Sequence, residues 1–275
     1  MILGMPLSEV IWLVGILLAA GLVMGVLSGL LGIGGGGILV PILFEVFAGL
    51  GVDEAVRMHL CVGTSLAVIV PTSLRSFVSH RAKGAVDMAI IKSMVVPVVI
   101  GVVVGILVAG YSDEKILKGV WAGAATAFSL KLFLGGATWR LGCTIPGNPL
   151  RALYGVLIGS VSTLMSIGGG AFITMMMTLY GRSILQAVAT SSGFGPMISI
   201  PATIGFIWVG WGQSGLPPGS FGYVNLLGAA IIVSASVLVA PLGVRLAHGI
   251  PRRRLELFFA SFLAIVAMRF FWTLL

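Results

Sequence analysis

Two long apolar stretches of this chain are each broken in the middle by glycine. Residues 32–37 read Gly-Ile-Gly-Gly-Gly-Gly and residues 166–170 read Ser-Ile-Gly-Gly-Gly. Glycine is about 1 kcal/mol per residue worse than alanine inside a helix, so a cluster of this kind stops one. In hydrocarbon a stopped helix leaves N–H and C=O groups that lipid cannot satisfy. Such a break is tolerated only where protein or a polar cavity covers it. A fold for this chain therefore has to bring both breaks indoors.

Composition shows why hydrocarbon is the relevant solvent. The 275 residues are 58% hydrophobic and 9% charged, with mean hydropathy +1.15, whereas soluble domains carry about 25% charged residues. Apolar runs over 10–31, 85–110 and 221–244 reach the roughly 20 residues that a helix needs to cross a bilayer. The sequence therefore reads as an all-α integral membrane protein. The net charge of +8 sits in short loops between spans, as the positive-inside rule expects, and implies no nucleic-acid partner. No basic residue precedes the first apolar run, so that span is expected to stay in the mature protein. Cys61 and Cys143 lie far apart in the sequence and read as ordinary free thiols.

The duplication extends well past the glycines. Gly25-x-x-Ser28 matches Gly159-x-x-Ser162 at an offset of 134, and Val62-Gly63-Thr64-Ser65 matches Val188-Ala189-Thr190-Ser191. Gly84-Ala85-Val86-Asp87 matches Gly222-Tyr223-Val224-Asn225 at an offset of 138, which then aligns Gly105 with Gly243, Leu117 with Leu255 and Ala122 with Ala260. Ten helical segments are expected, five per half. They cover 10–31, 36–48, 57–78, 86–110 and 114–136, then 150–166, 170–181, 186–209, 221–244 and 254–274. The first repeat is 10–136, the linker 137–149 and the second repeat 150–275.

Loop charge predicts opposite orientation of the halves. Loop 79–85 holds Arg81 and Lys83, while its counterpart 210–222 holds no charge. In the next pair the asymmetry reverses. Acids balance the lysines of 111–118, and its counterpart carries Arg245, Arg252, Arg253 and Arg254. Equivalent loops on opposite sides make an inverted-topology repeat. Loops 79–85, 137–150 and 245–254 are then cytoplasmic and both termini lie outside.

The segments after the breaks are short, and each would start near the membrane midplane. A helix start offers free N–H groups and the positive end of the helix dipole, which suits an anion. Gly34, Gly35, Gly36, Gly168, Gly169 and Gly170 are therefore candidate binding positions, although the same glycines would also permit tight helix crossing. Thr64, Ser65, Thr190 and Ser191 are candidate hydroxyl donors to the same ligand, with interhelical or backbone bonding as the other reading. Ser28 and Ser162 lie one turn before the breaks and join the candidate set. Arg75, Glu45 and His59 are candidates for gating or proton coupling, against snorkelling for Arg75 and an interfacial carboxylate for Glu45. Lys131 and Arg269 read as snorkelling repeat mates, and Asp87 and Asn225 as helix caps.

These motifs, with Pro41, His80-x-x-x-Gly84-Ala85-Val86-Asp87 and Ala240-Pro241-Leu242-Gly243, resemble the TauE/SafE sulfite-exporter family from about residue 10 to 275. The resemblance implies a bacterial-type inner-membrane permease that exports sulfite, sulfoacetate or related organosulfur anions, with no prosthetic group. The sequence departs from internal symmetry at Asn225, where the first half has Asp87. It holds no GxxxxGK[ST] motif to engage ATP. The reading is a secondary transporter of a small sulfur-containing oxyanion in the lipid bilayer, driven by membrane potential or by protons. The alternatives are a non-transporting membrane subunit that docks another protein, or an intramembrane enzyme.

Overall fold

The computed structural model describes residues 7–31, 36–134, 140–247 and 252–274, with side chains described except at 7–10, 27–31, 240–241, 243–247, 252 and 255. Gly34, Gly35 and the side chain of Ser28 lie outside the described residues.

Among the described residues the chain forms ten helices. The first half comprises α1 (Leu7–Leu31), α2 (Gly36–Gly49), α3 (Glu54–Ala82), α4 (Met88–Tyr111) and α5 (Glu114–Leu134). The second comprises α6 (Leu150–Met165), α7 (Gly170–Leu179), α8 (Ile184–Val209), α9 (Leu226–Ala247) and α10 (Arg252–Trp272). Helices α3, α4, α5 and α8 are long and apolar enough to cross a membrane. The expected segments correspond one for one to these helices, with ends that differ by a few residues, and two of the differences have local causes. Helix α3 starts at Glu54 rather than at 57 because the Asp53 carboxylate caps it through the Ala55 N–H. Helix α9 starts at Leu226 rather than at 221 because the chain first makes a hairpin. Strand β1 (Ser220–Phe221) pairs antiparallel with β2 (Val224–Asn225) around Gly222, whose φ of +52° suits a tight turn.

Helix directions follow from which residues touch. Gly63 meets Phe206, Gly195 meets Ser73 and Gly193 meets Phe77, so α3 and α8 run antiparallel. Trp121 packs edge-on against Phe270, and the Ser129 hydroxyl donates to the Ala260 carbonyl, so α5 and α10 are antiparallel as well. By contrast α1 lies parallel to α9, with Gly21 on Ile232 and Gly25 on Ser236. Helix α6 lies parallel to α4, with Gly155 on Pro97 and Gly159 on Val98. Glycine in these seams lets backbones approach as larger residues would forbid.

The two ends of the bundle differ in charge. One end gathers Arg81, Lys83, Arg140, Arg182, Arg253 and Arg254. It is tied together by Arg253, which donates to the carbonyls of Leu132 and Phe133, and by the Leu141 N–H, which donates to the Leu179 carbonyl. The other end holds Asp53, Glu54, Asp113 and Glu114 beside Arg57, Lys115 and Lys118.

Candidate functional site

The second break is built residue by residue. Helix α6 ends at Met165, and Ser166 turns left-handed at φ 54°, its N–H bonded to the Ser162 and Thr163 carbonyls. This conformation is the habit of glycine, and a serine adopts it at a cost of order 1–2 kcal/mol. Under the 134 offset the first-half counterpart of Ser166 is Gly32. Gly168 and Gly169 follow with φ of +65° and +75°. Helix α7 then begins with no side-chain cap, and Ile173 is the first residue whose N–H bonds back, to the Gly169 carbonyl. The N–H groups of its first turn are therefore open to a ligand.

The two breaks meet. A side chain on Gly36 would collide with the Ser166 carbonyl, and Gly37 faces Ile167. Ile69 of α3 touches both Gly36 and Gly168, and Gly195 of α8 lies beside Gly168. The starts of α2 and α7 thus converge where α3 crosses α8.

Hydroxyls surround this junction without partners. Among the described residues Ser65, Ser162, Ser166 and Ser199 are fully buried, yet none of their Oγ atoms makes a hydrogen bond. The Ser162 Oγ lies 3.7 Å from where a Cβ on Gly169 would sit. Ser65 is one turn from Ile69, and Ser199 one turn from Gly195. Buried hydroxyls are nearly always bonded, so four orphans around one junction call for a ligand or water.

The candidate hydroxyl pairs divide. Thr64 Oγ1 accepts the Asn225 N–H at 2.9 Å, and Thr190 Oγ1 accepts the Asp87 N–H at 2.9 Å. Each threonine therefore clasps the residue that caps the fourth helix of the opposite half. Asp87 caps α4 through the Ala89 and Ile90 N–H groups, and Asn225 caps α9 through the Gly228 N–H. The serines face the other way. Ser191 Oγ receives the Thr174 hydroxyl of α7 and donates to the Val188 carbonyl. Ser65 has no such partner, because the counterpart of Thr174 in α2 is Val40.

The candidate gating residues lie away from the breaks. Glu45 Oε1 pairs with Arg269 at 2.8 Å, both side chains about half exposed, so Arg269 is an ion-pair partner rather than a free snorkelling cation. Arg75 is exposed on the basic half of α3. His59 is buried, with Nε2 at 2.9 Å from the Ala109 carbonyl and its ring against Tyr223. Burial pushes the Tyr223 phenol upward, so it stays neutral against that ring.

Sequence reasoning overlooked a buried charge cluster. Lys118 is 1% exposed, and its ammonium lies 2.7 Å from Glu54, 2.8 Å from Glu114 and over the Phe44 ring. The i,i+4 spacing of Glu114 and Lys118 was the available signal. Ser166 and Ser199 were also missed, and only the duplicated break pointed toward Ser166.

Comparisons with known proteins point to a membrane transporter family. The sequence matches the family described as Sulfite exporter TauE/SafE over residues 17–270. It is 31% identical to a probable membrane transporter protein of Haemophilus influenzae, covering 92% of this chain and 96% of that one. It is 27% identical to a probable membrane transporter protein of Methanocaldococcus jannaschii, covering 94% and 96%. It is 25% identical to the probable membrane transporter protein YjnA of Bacillus subtilis, covering 90% and 96%. No solved structure matches. A glycine-broken helical bundle and a family match over nearly its whole length agree that this chain is a membrane protein of the TauE/SafE sulfite exporter family.

Proposed function

We propose that the protein is a secondary transporter that exports a small oxyanion, sulfite or an organosulfonate, by alternating access around the starts of α2 and α7. The observation that carries this reading is the junction itself: two helix starts in contact, ringed by unpartnered buried hydroxyls. Helix starts and hydroxyls supply donors to an anion, and glycine lets it reach the backbone.

The two halves, 10–136 and 150–275, then act as inverted repeats joined by the linker 137–149. The antiparallel course of the mates α3 and α8, and of α5 and α10, supports this. So does the reciprocal clasp of Thr64 on Asn225 and Thr190 on Asp87. The basic end is placed in the cytoplasm by the positive-inside rule, in a bacterial-type inner membrane with both termini outside. A potential negative inside would expel an anion at about 2.3 kcal/mol per charge per 100 mV, without ATP.

The test is thermal stability of the purified protein with sulfite, sulfonates, sulfate, taurine and simple carboxylates. A substrate at 100 times its Kd stabilises by about 2.7 kcal/mol. Stabilisation by sulfite or by sulfonates is the expected result. Stabilisation by none of them would favour a subunit that docks another protein.

A further inference from the structure

The charge of the ligand can be read from what the junction lacks. Residues 10–44, 58–74, 152–181 and 183–244 contain no Lys, Arg, Asp or Glu. These stretches include both breaks, all of α6 from Ala152 onward, all of α7 and all of α8, and α3 from Met58 to Leu74. The groups at the junction are therefore neutral: the Oγ atoms of Ser65, Ser162, Ser166 and Ser199, and the open first-turn N–H groups of α7. The titratable side chains of α3 that flank the junction are His59 and Cys61 on one side and Arg75 on the other, and Arg75 is exposed. His59 is turned to the Ala109 carbonyl and Tyr223, and Cys61 is a buried thiol. The clasp residue Asp87 is occupied with capping α4. In α5, Lys118 pairs with Glu114 and with Glu54 of α3 at the acidic end, and Lys131 lies one turn beyond Phe128, which packs on Phe172 of α7, toward the basic end.

Neutral donors stabilise a charge in proportion to that charge. The cost of taking an ion out of water rises with its square. One negative charge can be held by a ring of hydroxyls and a helix start, which offers about half a positive charge. A second negative charge roughly quadruples the desolvation cost and only doubles the return, and the stretches that meet at the junction supply no cation to close the gap.

We infer that this site takes oxyanions only as singly charged species. The statement rests on the proposed anion site and sharpens its substrate class. Hydrogensulfite and simple sulfonates fit it. Sulfate, fully deprotonated sulfite and sulfoacetate, each carrying two charges, do not. Sulfite would then be carried in its protonated form, and the proton would cross with it without any protein carboxylate taking part.

The experiment measures binding to the full-length purified protein by calorimetry for methanesulfonate, sulfate and sulfite at two pH values, one below and one above neutrality. Methanesulfonate keeps one charge at both pH values and controls for titration of the protein. The expected result is equal methanesulfonate affinity at both, no measurable sulfate binding, and a sulfite affinity that falls about tenfold per pH unit once hydrogensulfite becomes the minor species. Ser162→Ala should weaken methanesulfonate and hydrogensulfite by the same factor, as removal of a shared donor requires. Sulfate bound as tightly as methanesulfonate, or sulfite affinity that does not follow its protonation, would overturn the single-charge rule while leaving an anion site in place. Binding of none of the three would overturn the anion site itself.

Discussion

The acidic rim where α5 begins and the junction where the glycine breaks meet treat polarity in opposite ways. At the rim the buried charges are answered. Lys118 lies between Glu114 and Glu54, and Arg57 donates to the Val52 carbonyl and stacks on the Phe44 ring that also receives Lys118. At the junction there is no formal charge, and four hydroxyls go unanswered. A polar group with a partner fixes a structure. A polar group left alone inside a membrane protein is retained only if something else satisfies it for part of the time. The rim reads as a clamp and the junction as a place for a guest.

The largest effect on ligand response should come from filling the junction. Gly36→Ala puts a methyl into the Ser166 carbonyl, and Gly169→Leu forces a side chain onto Ile198 at a φ of +75°. Both should abolish substrate-induced stabilisation in a thermal-shift assay, with unfolding destabilised by about 1–3 kcal/mol. Normal ligand response in either variant would remove the breaks from the site. Next comes the rim. Lys118→Met strands the buried Glu114 carboxylate, whose ion pair with Lys118 is its only partner among the described residues. A loss of about 3–5 kcal/mol in unfolding free energy is expected, with ligand preference unchanged, and Glu114→Gln in the same protein should recover most of it. A change of preference would join rim and junction into one device.

Smaller effects separate the two kinds of hydroxyl. Thr190→Val leaves the Asp87 N–H without its acceptor and should lower stability by about 1–2 kcal/mol while sparing affinity. Ser65→Ala removes an unbonded hydroxyl, so stability should hold while anion affinity weakens by roughly 1–2 kcal/mol. Paired measurement of melting and binding reads both, and the reverse pattern would exchange their roles. The smallest effect belongs to Glu45→Gln, which breaks an ion pair half exposed on both sides. It should cost about 0–1 kcal/mol and leave uptake into proteoliposomes intact. Loss of uptake would restore Glu45 as a coupling residue.

Helix number and order were legible because glycine breaks, proline and loop charge punctuate a strongly apolar chain. What stayed hidden was direction around each helix. Thr64 and Ser65 are adjacent in sequence and so about 100° apart on the helix, and one bonds Asn225 while the other is buried without a partner. Nothing in a Thr-Ser pair says which hydroxyl will find a partner. The pairing of Glu45 with Arg269 joins helices far apart in the sequence, so it could not be read locally. The hairpin before α9 was taken for helix because Tyr223 and Val224 continue an apolar pattern, and only Gly219 and Gly222, both at positive φ, mark the turn. The orphan serines were the hardest to foresee, since an unmade bond leaves no pattern in a sequence.

The parallel packing of α1 on α9 has a consequence for how the chain is made. The groove at Gly21 and Gly25 is shaped for Ile232 and Ser236, which leave the ribosome roughly 200 residues later, about 10–40 s at ordinary rates of synthesis. During that interval the first helix has glycine-lined backbone facing lipid or whatever else is at hand. The second half has no such wait, because α4 is already in the membrane when α6 arrives to pack on it. Two seams related by the same duplication are thus completed at very different times, and the early helix is the one that needs a temporary companion.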